Sequence, residues 1–321
     1  MPTYNWLKAS TSTSADAFTD FLNRKVLDNF EPSLVFSQFS ETPISDAGTD
    51  EVIWAKMPAF NASPAQVELL DGETPPPISY TVDTIKTTSK EYGLYAVITK
   101  KMNKKVAFNL TEKIAMNLGE NMARIIDTVY QMEVVDNATN RIYASTTSGG
   151  TRAANRAAMT GITYKMFTYD IAAAVTTLRA LNSPTFMGGH YVGILHPLVA
   201  HRISTDVGTG GRLAIKQYTV EGQGSIYRGE IGMIHGARII VSSNIKTYAS
   251  TTTVYPSVFL GKGAYGGTTL EALQTIVKPF GSGGTEDPLN QRMTEAVSVS
   301  FACKILQQNS IVVFESAGAT P

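Results

Sequence analysis

Four histidines are the side chains of this chain best suited to bind a metal or to transfer a proton: His190, His196, His201 and His235. A helical metal site usually places two imidazoles four residues apart, on one face of the helix. His196 and His201 are five residues apart, and no cysteine lies near them. We therefore predict no metal site, because ordinary positions in loops and at strand ends explain these histidines better.

Two glycine-rich segments have the composition of phosphate-binding loops, namely residues 208–211 (Gly-Thr-Gly-Gly) and 261–263 (Gly-Lys-Gly). A phosphate loop requires a preceding strand and a following helix, whose free N–H groups bind the anion. Neither segment has both neighbours. The sequence predicts turns at these positions and no bound cofactor, although a soluble enzyme with a Gly-rich ligand loop is kept as the weaker alternative.

The only cysteine, Cys303, excludes an internal disulfide and is compatible with folding in the cytoplasm. It lies in an alternating apolar pattern, which predicts a packed thiol and not a nucleophile. No serine has the surroundings of a nucleophile elbow, and no pair of carboxylates can be nominated as acid and base. The sequence thus predicts no catalytic residue and no enzymatic activity.

The composition favours a folded protein that binds nucleic acid weakly at most. Of 321 residues, 43% are hydrophobic, and 27 basic residues balance 27 acidic ones. Tight binding to phosphates usually requires a basic surplus. Apolar runs are too short to span a membrane, and the polar N-terminus does not resemble a signal peptide. We expect neither export nor membrane association.

The charges are distributed unevenly along the chain. Residues 1–50 contain three basic and seven acidic residues, a net charge of about −4. A basic cluster follows, formed by Lys100, Lys101, Lys104 and Lys105. Two interpretations stay open: two separate solvated faces, or an acidic arm that meets a basic surface on a neighbouring subunit.

The first hundred residues predict an N-terminal arm followed by a long two-stranded hairpin. Apolar residues at helical spacing predict a helix over about residues 15–29. Residues 51–60 predict a strand, and the chain returns as strands between residues 80 and 97. The intervening segment contains the proline run 75–77, which prevents regular structure. Because an isolated hairpin of this length is marginally stable in water, we expect another chain to cover it.

The clearest predicted element is a helix over about residues 110–136, with Asn109 and Glu112 in a capping box. Residues three or four apart form its predicted apolar stripe: Ile114, Leu118, Met122, Ile125, Val129, Met132 and, as the polar exception, Asp136. On this register, the change Ile125→Asp would place a charge in the core and prevent folding.

The second half of the chain predicts a mixture of helices and strands, and so an α+β class of fold. Helices are predicted over about residues 165–181 and from Pro197 to Ile203. Strands are predicted at 191–195, 237–242, 254–261 and 311–314, and an alternating strand at 297–305.

Several short segments, in their order along the chain, resemble a known family. The segment formed by Leu70, Asp71, Gly72, Glu73, Thr74 and Pro75, between two strands, resembles the extended-loop tip of the major capsid proteins of tailed bacteriophages. Further segments resemble the coliphage N-four type of this family: 194–197, 228–236, 242–244, 260–266 and 284–292. Each match is short, but together they span most of the chain.

The resemblance implies the Hong Kong 97-type capsid fold. Its parts would be an N-terminal arm at 1–49, an extended β-hairpin loop at 50–101, a peripheral domain with a long spine helix at 102–185, an axial domain at 186–290, and strands at 291–321 that return to the peripheral domain. The tip at residues 70–75 would then be an intersubunit contact.

The implied function is structural. A major capsid protein of this family self-assembles into hexamers and pentamers of an icosahedral virion shell in the host cytoplasm. It encloses double-stranded DNA, contacts this DNA weakly, and works with a portal protein and in some cases a decoration protein. About 50 residues precede the first predicted strand, too few for a built-in scaffolding domain, so we expect a separate scaffolding protein or none. A nanocompartment shell protein of the same fold is the main alternative.

Overall fold

A computed structural model describes the chain at residues 22, 24–26, 34–43, 51–56, 77, 81–105, 109–204, 230–282 and 287–317. Four α-helices lie in this part of the chain: α1 (Lys100–Lys105), α2 (Leu110–Asn137), α3 (Thr168–Ala180) and α4 (Pro197–Ser204). Short 3-10 helices span Phe36–Phe39, Arg156–Ala158 and Gln308–Ser310, and Leu22 and Arg24–Val26 are also helical. The predictions of α2 and α4 are confirmed to within one residue at each end.

Within the described residues the strands form three sheets. Their bounds are β1 Glu51–Lys56, β2 Asp83–Thr88, β3 Lys90–Thr99, β4 Arg141–Tyr143, β5 Tyr191–Leu195, β6 Glu230–Ile234, β7 Ala237–Val241, β8 Tyr248–Ala249, β9 Thr253–Leu260, β10 Tyr265–Lys278, β11 Arg292–Ile305 and β12 Ile311–Ala317. β1 pairs with β2, β11 lies between β10 and β3, and the order β4-β12-β9-β5-β7-β6 forms the large sheet, with β8 beside β9.

The large sheet is covered on both faces, which explains why β5 and β12 are buried along their whole length. One face, including Val192 and Val258, belongs to a core shared with α2 and the three-stranded sheet. The other face, including Phe259 and Phe314, packs against α3 and α4. A strand buried on both faces is expected to be a continuous apolar run, as the sequence of β5 is.

Helix α2 begins where the capping signal places it, since the N–H of Glu112 donates to Asn109 Oδ1 (3.5 Å). Its buried face differs from the predicted stripe. The predicted stripe matches the buried face at Leu118 and Met122. Towards the C-terminus it departs from the buried face, because Ile125 is half-buried and Met132 is exposed. From Met122 onwards the buried residues come in neighbouring pairs one turn apart: Met122/Ala123, Ile126/Asp127, Tyr130/Gln131 and Val134/Val135. The helix is packed from two sides, and its buried face is therefore wider than one stripe.

Helix α3 begins three residues later than predicted. The chain before it is extended at Phe167, whose N–H donates to the carboxylate of Asp170 in the first turn (2.9 Å). Asp170 is buried and also forms an ion pair with Arg152 (3.2 Å). A carboxylate in the first turn stabilises a helix start, because it accepts hydrogen bonds there and complements the positive end of the helix dipole.

A buried ion cluster fixes the end of α2 to the large sheet. The carboxylate of Glu315 on β12 is fully buried and accepts hydrogen bonds from two guanidinium groups, Arg156 (2.7 Å to each oxygen) and Arg141 (2.9 Å). Arg141 also donates to the backbone oxygens of Val135 and Asp136 in the last turn of α2. Both carboxylate oxygens are therefore paired, as a buried charge requires.

The corrected register of α2 gives a direct test. The change Ile126→Asp places a charge in a site that is 4% exposed, and we expect a loss of more than about 4 kcal/mol that prevents folding. The matched change Ile125→Asp, one residue away at the rim of a groove, is expected to lower the free energy of unfolding by only about 1–2 kcal/mol. Circular dichroism and urea unfolding of both variants measure the difference. Equal losses at the two positions would contradict this register.

Candidate assembly surface

The tip predicted to be an intersubunit contact, Leu70 to Pro75, lies outside the described residues. The structure does describe the two strands on either side of it. β1 and β2 pair antiparallel from Glu51 opposite Thr88 to Lys56 opposite Asp83, so the chain leaves and returns as a hairpin. The predicted strand at residues 51–60 is therefore confirmed for residues 51–56.

The hairpin is attached to the body of the protein through β1. Val52 and Trp54 are buried against Ala302, next to the half-buried Leu306. β2, in contrast, alternates between exposed and half-buried residues along its length. One strand of the hairpin is thus anchored, and the other presents a largely polar, solvated surface.

A close contact at the base of the hairpin requires a glycine. The indole N–H of Trp54 donates to the backbone oxygen of Glu41 (3.3 Å), and Glu41 in turn pairs with the backbone around Gly266 on β10. A Cβ atom at Gly266 would collide with the Trp54 ring. The arm segment, the hairpin and the three-stranded sheet therefore meet at one point without space between them.

The arm segment 34–43 is held on α2 by a buried carboxylate. Asp127 accepts hydrogen bonds from the backbone N–H groups of Val35 (2.8 Å) and Phe36 (3.1 Å). The hydroxyl of the fully buried Tyr265 donates to the backbone oxygen of Phe36. Burial raises the pKa of Asp127 to about 6, although the hydrogen bonds from the arm lower it. The segment is fixed by polar contacts in the protein interior and not at its surface.

A second buried carboxylate, Glu295, has no such partners. It lies on the face of β11 that packs against α2, between Met293 and Val297, and is 1% exposed. In the described part of the chain, neither of its carboxylate oxygens has a hydrogen-bond partner. Burial raises the pKa of Glu295 from 4.5 to about 7, because the charged form loses its hydration.

The opposite face of the three-stranded sheet exposes apolar side chains. Tyr95 and Val97 on β3 and Ile276 on β10 lie on this face and are 70%, 46% and 46% exposed. Together with Lys278 and Arg292 they line a shallow groove of about 590 Å³. The basic cluster predicted from the sequence forms α1 at the end of β3. Lys101, Lys104 and Lys105 are exposed there, and Lys100 is half-buried.

The described histidines, Cys303 and the glycine segment 261–263 lie in structural surroundings of their own. Among the described residues, no group of three His, Cys, Asp or Glu side chains could hold a metal ion. His196 accepts a hydrogen bond from the N–H of Leu198 and packs on the ring of Tyr255, while His235 occupies the turn between β6 and β7 with φ of 50°. Burial lowers the pKa of His196. These histidines have structural surroundings.

The glycine segment 261–263 connects β9 to β10. Its N–H groups at Gly261 and Lys262 donate to the backbone oxygens of Ser310 and Pro184, so they are not free to bind a phosphate. The segment 208–211 lies outside the described residues. Burial raises the pKa of Cys303 to about 12, which keeps the thiol protonated at neutral pH and makes it a poor nucleophile.

No helix in the described part of the chain is both long and apolar enough to cross a membrane.

Sequence reasoning missed the buried carboxylates, but two of them left a signal. Glu295 is separated from Met293, Val297 and Val299 by an even number of residues on an alternating strand, which places its side chain on the same face as theirs, towards the core. Glu315 directly follows the apolar run of β12. Asp127 had no comparable signal, because the predicted stripe of α2 placed it on the solvated side.

Comparison with known proteins shows similarity of structure without similarity of sequence. No family model matches the chain, and no curated protein matches it. The capsid of Ralstonia phage GP4 is similar with a TM-score of 0.68 and 14% identity, over 100% of this chain and 97% of that one. The capsid of cyanophage Pam1 is similar with a TM-score of 0.64 and 12% identity, over 98% of this chain and 95% of that one. A virus-like particle from Pyrococcus furiosus is similar with a TM-score of 0.53 and 11% identity, over 92% of this chain and 99% of that one.

These similarities extend over nearly the whole length of both chains in each comparison. The chain therefore has the mixed helix-and-sheet fold found in phage capsid proteins.

The unpaired carboxylate predicts a dependence of stability on pH. The pKa of Glu295 is higher in the folded chain than in the unfolded one, so its favourable contribution is complete below about pH 4.5 and is lost as the pH rises through about 7. We expect Glu295→Gln to raise the free energy of unfolding at pH 8 by up to about 3 kcal/mol and to flatten the profile. Urea unfolding across this range measures it. Glu120→Gln, on a half-exposed carboxylate of α2, is the control, and identical profiles for wild type and Glu295→Gln would contradict the prediction.

The buried contact between Asp127 and the arm segment predicts that removal of this carboxylate releases residues 34–43 from α2. In Asp127→Ala the N–H groups of Val35 and Phe36 lose their acceptor, at a cost of about 2–4 kcal/mol. We expect faster hydrogen exchange and earlier proteolysis within residues 34–43, while α3 and the large sheet keep their protection. Glu120→Ala, which changes a half-exposed carboxylate of α2, serves as the control. Unchanged exchange at residues 34–43 would show that Asp127 does not hold the arm.

Proposed function

We propose that this chain is the major capsid protein of a tailed bacteriophage, with the Hong Kong 97-type fold and of the coliphage N-four type. The observation that carries the proposal is the similarity of fold to the GP4 capsid chain over 100% of this chain and 97% of that one. In this proposal the protein has a structural role and no enzymatic one.

The parts of the fold support the assignment of regions made from the sequence. The arm is residues 1–49, the extended loop 50–101, the peripheral domain 102–185 with 291–321, and the axial domain 186–290. α2 is the spine helix, and it lies against the three-stranded sheet as a rigid support. The β1–β2 hairpin is the proximal part of the extended loop.

The exposed hairpin supports assembly as the function. A two-stranded ribbon is marginally stable by itself, and β2 offers a mostly solvated surface with no further strand beside it in the described residues. The tip, Leu70 to Pro75, is in this proposal a contact to an adjacent subunit. Many such modest contacts, repeated over hexamers and pentamers, hold a closed shell together by multivalency.

The remaining partners follow from the same proposal. The shell encloses double-stranded DNA in the virion, and the zero net charge of the chain is suited to a container wall that grips DNA weakly. A portal protein, a separate scaffolding protein and, in some capsids, a decoration protein complete the assembly in the host cytoplasm.

A shell that encloses protein cargo is the second candidate function. It is favoured by the similarity to the virus-like particle from Pyrococcus furiosus, which covers 99% of that chain. Electron microscopy and light scattering of the purified chain test whether shells form, and the contents distinguish the candidates. Nuclease-protected DNA in particles purified from infected cells supports the phage capsid, whereas shells that hold only protein support the nanocompartment. A chain that stays monomeric at all concentrations, with its scaffold added, would exclude both.

The predicted contact at the tip can be tested by replacement. We expect a subunit in which residues 69–77 are deleted to fold normally, because the proline run 75–77 prevents regular structure in this segment, and to fail to complete shells. A matched variant with nine Gly and Ser residues in their place separates the length of the loop from its chemistry. Electron microscopy counts closed particles, and normal shells from both variants would refute the contact.

A further inference from the structure

The three-stranded sheet has one face against α2 and one face turned away from it. Leu94 and Val297, which lie opposite each other on β3 and β11, pack into the core shared with α2. Because side chains alternate along a strand, Tyr95 and its partner Ala296 point to the other side. This second side, called the exposed face below, carries the shallow groove between Tyr95 and Ile276.

The middle of the exposed face is apolar. Tyr95 on β3 and Ile276 on β10 are the two neighbours of Ala296 on β11, so these three residues form one row across the sheet. The side chain of Tyr95 is 70% exposed, and that of Val97, two residues further along β3, is also exposed. A contiguous apolar patch of this kind, with polar surroundings, is typical of a surface that contacts another protein.

The two ends of the exposed face carry opposite charges. At one end Glu91 and Glu271 lie on either side of Ser300. At the other end are Lys278 on β10 and Arg292, the first residue of β11. All four charged side chains are exposed, and none of them has an ion-pair partner among the described residues.

One further acidic residue, Asp287, lies beside the basic end without presenting its charge at the surface. Its carboxylate accepts hydrogen bonds from the backbone N–H groups of Gln291 (3.0 Å) and Arg292 (2.7 Å), and the residue is 7% exposed. The lysines of α1 follow β3 at the same end of the sheet. The accessible charge at this end is therefore positive.

We propose that the exposed faces of two copies of this chain pack on each other, about a two-fold axis that crosses the strands along the row of Tyr95, Ala296 and Ile276. The rotation places the strands of the two copies antiparallel and brings the acidic end of each face over the basic end of the other. The contact is isologous, because both copies use the same surface. This inference goes beyond the proposed function, since it defines a contact between two copies that does not require a shell.

The spacing of the charges favours a second copy as the occupant. On β11 the acidic end at Ser300 and the basic end at Arg292 are about 27 Å apart, and Ala296 lies midway between them. A two-fold axis through Ala296 therefore brings Glu271 of one copy close to Lys278 of the other, and the symmetry repeats this contact. An axis along the strands would instead place like charges over each other, which is unfavourable.

The sizes of the side chains on β3 fit the same axis. Gly93 and Val97 lie two residues from Tyr95 in opposite directions, so the rotation places Val97 of one copy over Gly93 of the other. Gly93 has no side chain that could collide with it. Tyr95 lies on the axis and meets its own counterpart, and aromatic rings that pack with an offset attract each other.

The size of the exposed face predicts a weak contact. Three strands with the usual spacing, over a length of about 27 Å, cover about 400 Å² on each copy. Stable complexes between proteins usually bury about 800 Å² on each partner. The pair should therefore form at high subunit concentration, or where other contacts between the copies add to it.

Cross-linking between single cysteines tests the position of the axis. In a chain with Cys303→Ser, the change Ala296→Cys places a thiol on the axis, where the two sheets are about 10 Å apart. We expect a bismaleimide reagent of this length to join two copies. Thr99→Cys, on the same face opposite Arg292, is the matched control, because its counterpart lies about 27 Å away along the strands.

The cross-linking result separates this inference from the proposed function. Linked pairs from Ala296→Cys and none from Thr99→Cys would support the contact. Equal linkage at the two positions, or no linkage at Ala296→Cys at any subunit concentration, would overturn it. Shells that form from a chain without linkage at Ala296→Cys would leave the proposed function intact.

Charge reversal tests the orientation and the identity of the occupant. Glu271→Lys and Lys278→Glu, each alone with Ala296→Cys, should lower the yield of linked pairs about 10-fold at low salt, because like charges then meet in both symmetric contacts. An equal mixture of the two variants should restore the yield, since opposite charges meet again in both contacts. Restoration also shows that both variants are folded. Unchanged yields from the single variants, or no restoration in the mixture, would refute the pairing of two copies in this orientation.

Discussion

The structure depends on two polar side chains that α2 carries into the protein interior one turn apart. Asp127 accepts hydrogen bonds from the backbone of Val35 and Phe36. Gln131 forms a pair of hydrogen bonds with the backbone of Lys246, accepting at 2.7 Å and donating at 3.3 Å. Both connect α2 to backbone about a hundred residues away. A helix with a wholly apolar face could slide or rotate against its neighbours, whereas these directional bonds allow one register.

The same helix shows how closely the layers approach. A Cβ at Gly119 would collide with the backbone of Val26, and a Cβ at Gly267 on β10 would collide with the ring of Tyr130. Contacts of this kind leave no space for a larger residue, and the arm and the sheet therefore both lie directly against α2. The exposed hairpin thus extends from a rigid body, which suits a surface that must meet a partner in one orientation.

Three of the buried carboxylates show how the surroundings of a buried charge decide whether it stabilises or destabilises the fold. Glu315 is bound by two guanidinium groups and Asp127 by backbone N–H groups, while Glu295 faces apolar side chains. Burial costs all three their hydration, but only the first two recover hydrogen bonds in exchange. Glu295 is the carboxylate of the three whose protonation relieves the cost of burying an unpaired charge. A chain that keeps such a residue sacrifices stability at neutral pH in the subunit.

The sequence by itself determined the elements whose signals are local. The cap at Asn109 fixed the start of α2, the apolar run of β5 marked a strand buried on both faces, and Pro197 marked the start of α4. The resemblance of short segments led to the capsid fold that the structural comparisons support. β10 was missed because two register shifts interrupt its alternation, so no period of two is visible along its 14 residues.

Only the tertiary structure decided which face of α2 is buried, where the carboxylates lie, and which strand edge stays open. Each of these depends on contacts between residues far apart in the chain. The periodicity of α2 cannot reveal that the arm packs on its second side, and the composition of β3 is the same whether a strand lies beside it or not. Local pattern fixes what a segment becomes, but the free energy of burial and pairing is a property of the surfaces that it meets.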